Sequence, residues 1–316
     1  MRGAVPFRPE WYGPRAKIVG QGAGWVKVDY GCRGQGLVTN YFLLDGVQLC
    51  ILDFKTGETL PAQTFDPDLI EITYCRSGRY ECEFANHTVS CLPEGCFRVA
   101  GTHYLPVNFS FPLERCSAVS LVVDRRNLSD RSGALLCQCA IDIERVAASI
   151  GKQWRAAPAP ADLKALFDRL YCAAGREETG WFRLQVLELL YELGRMPALD
   201  GRDCRYFDKK QVEAVKAVRD RLVARLDEKP AVEQMAREAG LSPAVFHTVF
   251  AAIYGDTPYA YLKKFKMNAA ACALLESRCK VCDLALELGY SNASKFARAF
   301  CSVYGVLPRD YRKKRK

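Results

Sequence analysis

Apolar and polar positions alternate in two different rhythms along this chain of 316 residues, and the change of rhythm divides it. From about Gly36 to Asp124, short apolar or alternating runs are separated by turn residues, the pattern of β-strands. The runs are Val47 to Phe54, Leu69 to Cys75, Tyr80 to Phe84, Thr88 to Cys91, Cys96 to Ala100, Val107 to Phe111 and Ala118 to Val123. Strands at this spacing suit a small all-β barrel or jelly roll better than an α/β sheet. The period then lengthens to that of helices over Ile143 to Ile150, Ala161 to Ala173 and Gly180 to Gly194. One stripe joins Leu163, Leu166, Phe167, Leu170 and Tyr171. A broader one, with Phe182, Leu184, Val186, Leu187, Leu189, Leu190 and Leu193, covers more than one helix face. Its excess calls for either complete burial within one subunit or a second subunit, a homodimer through helices 161–194.

Residues 196–208 carry Pro, Gly, Asp and Arg without periodicity and read as a linker between a domain at 1–195 and one at 209–316. Lys209 to Leu226 opens the second domain as a helix with Val212, Val215, Val218 and Leu222 inward. The rest of that domain carries one pattern in two copies. Ala236, Gly240-Leu241-Ser242, Phe246, Phe250, Tyr254-Gly255, Pro258 and Tyr261 reappear as Ala285, Gly289-Tyr290-Ser291, Phe296, Phe300, Tyr304-Gly305, Pro308 and Tyr311. The first landmarks shift by 49 and the rest by 50, which places one inserted residue near Ser294 or Lys295.

Each copy has the chemistry of a helix-turn-helix. Gly240 supplies the left-handed turn that ends one helix, Ser242 can cap the next, and Pro243 suits its first position. Small Ala236 lets the helices approach, and Phe246, Phe250 and Ile253 form the buried stripe of the second helix. In the other copy Leu284, Ala285, Leu288, Gly289, a cap at Ser291 and the stripe Phe296, Ala299, Phe300 and Val303 repeat the logic. On a helical wheel Ala244, Thr248 and Ala251 lie opposite the first stripe with His247 at the flank. Ser294, Arg298 and Cys301 lie opposite the second, beside Lys295 and Ala297. These are the positions that would meet a major groove, and Arg298 can pair bidentately with guanine or with phosphate. Pro258 to about Leu275 reads as one connecting helix roughly 27 Å long, comparable to the roughly 34 Å pitch of the duplex. Lys263, Lys264 and Lys266 on it, and the tail from Arg312 to Lys316, supply cations for phosphates.

Charge sharpens the division. The net charge is +9, and from Arg205 onward 22 Lys and Arg face 12 Asp and Glu, so that third holds +10 and the remainder −1. A polyanion-binding domain joined to a neutral partner domain has this distribution.

These residues resemble the AraC/XylS family of bacterial transcription regulators over roughly Gln211 to Lys316. The likeness rests on Ala236 with Gly240-Leu241-Ser242, Tyr254 to Pro258 with Tyr261, Ala285 to Ser291, Phe296, Arg298-Ala299-Phe300 and Tyr304 to Arg312. It implies an all-α domain of two helix-turn-helix units joined by a long helix, which reads promoter DNA through about Pro243 to Ile253 and Asn292 to Val303. It also implies a cupin-like first domain that binds a small-molecule effector, helices that dimerise, and RNA polymerase as a partner in activation. Two departures stand out: Ala251 and Ala252 replace the basic pair common after the first recognition-helix phenylalanine, and lysines replace arginine in the connecting helix.

Other chemistry finds little to work with. No run approaches the ~18 apolar residues of a membrane span, and Met1 to Pro6 lacks a signal-peptide core, so a cytoplasmic protein is expected. The 15 cysteines, scattered through apolar runs, read mostly as small buried hydrophobes. Cys279-Lys280-Val281-Cys282 has metal or redox spacing but no second pair and no nearby histidine. His87 and His103 are too few for a metal-dependent cupin enzyme, so no catalytic residue, metal or cofactor is expected. The alternative from another class is a DNA-binding module fused to a cupin-type or DNA-repair cysteine enzyme. The glycines of Gly20 to Gly24 and Gly31 to Gly36 read as turns. Trp25, Tyr30, Tyr41, Phe42, Tyr74, Tyr80, Phe97 and Tyr104 either line a pocket mouth or fill the core.

Overall fold

In the computed structural model, which describes residues 12–62, 68–101, 106–148, 155–197, 205–276 and 279–313, the strand-rich part of the chain buries both faces of an antiparallel sheet. Its strands are β1 (Lys17–Gly22), β2 (Trp25–Asp29), β3 (Gln35–Leu44), β4 (Val47–Lys55), β5 (Leu60–Pro61), β6 (Leu69–Glu83), β7 (Thr88–Pro93), β8 (Cys96–Gly101), β9 (Asn108–Ser110), β10 (Cys116–Asp124) and β11 (Arg155–Pro158). They lie in the order β1-β2-β3-β4-β10-β6-β8-β11, while the far half of β6 pairs instead with β7 and β9. Leu49, Ile51, Ile72, Tyr74, Val119 and Leu121 point to one face, and Cys50, Phe54, Cys75, Cys82, Ala118 and Val122 to the other. A strand covered on both sides has no reason to alternate with polar residues, and its sequence becomes a nearly continuous apolar run.

Several strand expectations change, and β3, though rich in apolar residues, lies outside the expected runs, which begin at Val47. Leu69 to Cys75 and Tyr80 to Phe84 are not two strands but one, β6. The polar stretch between them passes through a bulge opposite Ser117 and Ala118, with Arg76 as the extra residue; two residues on, Gly78 pairs with Cys116, takes φ +85°, and a Cβ there would stand 2.1 Å from the Arg115 carbonyl. The bulge bends the strand from one sheet into the next. The hairpin β1–β2 and the strand β11, rich in Gly, Lys and Ala, carried too weak an apolar signal to be seen.

Helices α1 (Asp130–Gln138), α2 (Ile143–Ala148), α3 (Ala161–Cys172) and α4 (Thr179–Arg195) complete the first unit, and their apolar stripes join the first of the two sheet faces. Tyr74 stacks on Phe167 with centroids 4.7 Å apart, and Tyr41 on Phe182 at 4.1 Å. The broad α4 stripe is therefore largely spent within the subunit: Phe182, Val186, Leu189, Leu190 and Leu193 are buried, and Leu184 stays 66% exposed. The last two residues of the expected helix Ile143 to Ile150 lie outside the described residues, as do residues 198–204 of the expected linker.

The backbone divides into Met1–Tyr206 and Phe207–Lys316. In the second unit the helices are α5 (Lys209–Ala224), α6 (Val232–Glu238), α7 (Pro243–Tyr254), α8 (Pro258–Glu276), α9 (Val281–Glu287), α10 (Ala293–Tyr304) and α11 (Pro308–Lys313). The sequence repeat becomes a structural one. Phe250 lies 4.8 Å from Tyr254 and 5.5 Å, edge-on, from Tyr261; Phe300 lies 4.7 Å from Tyr304 and 5.3 Å, edge-on, from Tyr311. Leu241 N–H donates to the Ala236 carbonyl as Tyr290 N–H does to Ala285, the closing bond of a glycine-terminated helix. The extra residue of the second copy sits in the turn, before α10, rather than near Ser294 or Lys295, because α7 and α10 begin 50 residues apart while the turn glycines are 49 apart.

The two turn glycines are not equivalent. Gly240 (φ +67°) has open space where a Cβ would be, whereas at Gly289 (φ +73°) a Cβ would stand 2.2 Å from the Asp227 carbonyl. Gly240→Ala should cost about 1–2 kcal/mol through the left-handed backbone alone. Gly289→Ala should cost distinctly more, because the overlap adds a further ~1–3 kcal/mol. Urea unfolding of both variants checks this, and equal losses would contradict it.

Candidate nucleic-acid interface

The aromatic scaffold fixes which residues of α7 and α10 face outward. Phe246, Val249, Phe250, Ile253 and Tyr254 are buried on α7, as are Phe296 and Phe300 on α10. Opposite them Ala244 and His247 are exposed with Thr248 half-buried, and on α10 Ser294, Lys295 and Arg298 are exposed. The Ser242 hydroxyl accepts from Val245 N–H and caps α7. On α10 the cap is Asn292, whose side chain accepts from Lys295 N–H at 2.8 Å, and not Ser291. Val303, expected in the second stripe, is 36% exposed, and Ala299 only half-buried.

The connecting helix α8 distributes its lysines differently from expectation. Lys263 is exposed, and Lys264 is exposed but bonded to both carboxylate oxygens of Asp256 at 2.8 and 3.1 Å. Lys266 is a correction: it is only 4% exposed and donates to the Glu228 carbonyl at 3.1 Å, so it holds a loop and is not available to a phosphate. The helix buries one face at each end, and position 266 falls on the inner one, beside Met267. Arg312 is half-buried, its guanidinium donating to the Cys279 carbonyl at 2.6 Å, which ties α11 to the start of α9. Residues 314–316 of the basic tail lie outside the described residues.

In the first unit a polar cluster that sequence reasoning missed lies on the second of the two sheet faces. Arg98, fully buried, pairs with Glu71 at 2.8 Å, Ser120 donates to Glu71 at 3.1 Å, and Thr73 meets Ser120 at 3.1 Å. The signal was present: Glu71 and Thr73 share a parity on β6, as Arg98 does with the inward Cys96 and Ala100 on β8. A cavity of about 60 Å³ beside it is lined in part by Tyr30, Val38, Cys50, Glu71, Tyr80 and Arg98. Of the aromatics with two readings, Tyr41, Tyr74 and Phe97 are core, Tyr30 and Tyr80 reach the cavity, Trp25 and Phe42 are half-buried, and Tyr104 is outside the described residues, like His103. His87 is exposed in the β6–β7 turn.

Cysteine burial follows secondary structure. Cys50, Cys75, Cys82 and Cys116 on strands are buried, while Cys137, Cys172, Cys272 and Cys282 on helices are exposed, so the expectation of general burial fails for the helices. Burial pushes the Cys50 and Cys82 thiols up to about 12, away from the thiolate a nucleophile needs. Cys279 is half-buried and Cys282 exposed, and among the described residues no group of three or more His, Cys, Asp or Glu could hold a metal ion. No described helix is long and apolar enough to cross a membrane.

Two outward recognition helices on one repeated aromatic scaffold define a double helix-turn-helix domain. Residues 235–314 match the family description "Helix-turn-helix domain". An uncharacterised HTH-type transcriptional regulator of Haemophilus influenzae is 35% identical over 82 residues, 26% of this chain and 28% of the relative. The HTH-type transcriptional regulator AlkR of Acinetobacter baylyi is 34% identical over 86 residues, 27% of this chain and 28% of the relative. Among solved structures, the DNA-binding domain of the global transcriptional factor AdpA in complex with a target DNA is 24% identical over 32% of this chain and 91% of that one, with a TM-score of 0.31. The carboxy-terminal domain is thus a helix-turn-helix domain similar to those of HTH-type transcriptional regulators, and the match spans little more than a quarter of these curated relatives' own length.

Burial holds the Lys266 ammonium below its ordinary 10.5, and nearby Lys229 adds repulsion. The folded chain therefore binds this proton less tightly than the unfolded one, and Lys266 adds stability as pH rises from the lowered value to 10.5, with no change below that window. Thermal unfolding should show the parent gaining on Lys266→Met across that rise. A pH-independent difference would contradict the burial of the cation.

Proposed function

We propose that this protein is a sequence-specific DNA-binding transcription regulator whose second unit grips promoter DNA through α7 and α10. The observation that carries the reading is the duplicated scaffold, which turns two capped helices outward and leaves Ser294, Lys295 and Arg298 free for base edges and phosphates. Ala244, His247 and Thr248 form the matching surface of α7, and Lys263 adds a phosphate contact. Lys264 can contribute only by exchanging Asp256 for a phosphate, and Arg312 acts from the scaffold.

The first unit, read as a cupin-like sensor, fits control by a small-molecule effector acting in the cytoplasm, and RNA polymerase is the partner through which a bound activator would work. The Arg98–Glu71 cluster is the place for an effector, though a cavity of about 60 Å³ is far below the roughly 300 Å³ of ordinary ligand pockets, so an effector must open it. A ligand that prefers the open form would shift the population toward it. Leu184, left exposed on α4, fits a homodimer through helices 161–194.

Electrophoretic retardation of DNA from upstream of the coding sequence tests the reading. Retention should fall steeply with salt, as counterion release requires. Arg298→Ala should weaken binding to the specific site by about 1–3 kcal/mol. Binding of that variant equal to the parent's would remove Arg298 from the groove.

A further inference from the structure

The two recognition helices share a scaffold but not a surface. Aligned on Phe246 and Phe296, the outward positions pair as Ala244 with Ser294, Val245 with Lys295, Thr248 with Arg298 and Ala252 with Ser302. At each of these positions α10 carries a donor or a cation, and at three of the four α7 carries only carbon; the flank reverses this, with exposed His247 on α7 opposite Ala297 on α10, so the apolar character of α7 is confined to Ala244 and Val245 at its start and Ala252 further along. Val245 is 38% exposed at the first turn of α7, beside exposed Ala244, and the whole helix from Pro243 to Tyr254 contains no charged residue. A scaffold that buries five α7 side chains has no packing need for an outward valine.

We infer that the two helices read different chemistry: α7 recognises the C5-methyl groups of thymines through Val245 and Ala244, and α10 recognises guanine edges and phosphates through Arg298 and Lys295. This rests on the DNA-binding reading above. In the major groove thymine is the base that displays a methyl, and apolar side chains discriminate it by contact alone. Guanine offers two acceptors suited to a guanidinium. The valine and alanine of the first turn of α7 gain nothing from phosphates and would leave base donors and acceptors unpaired over a G·C step, which costs more than a lost contact, while His247 and Thr248 lie further along the helix. The operator should therefore be asymmetric, with a thymine-bearing part under α7 and a guanine-bearing part under α10. It should not be two copies of one sequence, despite the duplicated protein fold.

Replacing thymine by uracil in the DNA removes the methyl and leaves the Watson–Crick edge intact, so it probes the contact without changing the protein. The full chain is titrated on the retarded upstream duplex and on the same duplex with deoxyuridine in place of thymidine, one half of the protected region at a time. Substitution in one half should weaken binding about four-fold for each methyl contacted, the size of burying one such group, and in the other half should change little. Val245→Ser, at an exposed position, should blunt the sensitivity to deoxyuridine, while Arg298→Ala should keep it in full. Equal binding of thymidine and deoxyuridine duplexes by the parent would overturn the inference and leave the regulator reading standing. So would a sensitivity that survives Val245→Ser and vanishes in Arg298→Ala. Failure of the parent to retard the thymidine duplex would overturn both.

Discussion

What the second unit presents outward depends on how α8 is buried at its two ends. Near its start Tyr261 meets Phe250 edge-on in the first aromatic cluster, and further along Met267, Ala270, Ala271 and Leu274 join Leu284, Phe296 and Phe300 in the second. A helix of 19 residues is about 28 Å long, so one rod with an end in each core holds two recognition helices as parts of one body. The loop after α5 locks the arrangement from the side. Its Glu228 carbonyl accepts from Lys266, its Pro230 carbonyl accepts from Tyr259, its Asp227 carbonyl crowds Gly289, and Lys229 lies over the Tyr290 ring at 4.6 Å. Lys266 is thus a clamp between α8 and that loop, and this explains why a cation was placed where no phosphate reaches it.

Duplication separates two demands that usually compete. Packing is met by the aromatics and the left-handed glycines, which recur with nearly the same distances in both copies. The outward positions are thereby free to differ, and Val245 against Lys295 is the plainest case. Deleting an aromatic such as Phe300 would unsettle every outward residue of its copy at once, whereas exchanging an outward residue leaves the packing intact.

Much of this was legible in the sequence where a local rule decides the structure. The glycine turns, the cap at Ser242 and the stripes around Phe246 and Phe296 follow from backbone and period alone, and the helices they imply are present. Legibility failed where a distant partner decides. The period of α8 puts position 266 on the stripe of Leu262, Ala270 and Leu274, but the Glu228 carbonyl that receives the ammonium is 38 residues away, and without that partner the residue type reads as outward. The Arg98–Glu71 pair spans 27 residues and depends on strand register. Gly78 hid the continuity of β6, since a glycine in a polar stretch reads as a turn whether the chain reverses or, as here, stays paired with Cys116 just past a bulge at Arg76.

Two outward helices joined through α8 should meet one side of a duplex about a turn apart. Hydroxyl-radical footprinting of the full chain on its upstream DNA measures this directly. Two protected patches centred roughly 10 base pairs apart, in phase on one face of the helix, are expected. A single patch, or two patches displaced by half a turn onto opposite faces, would contradict it.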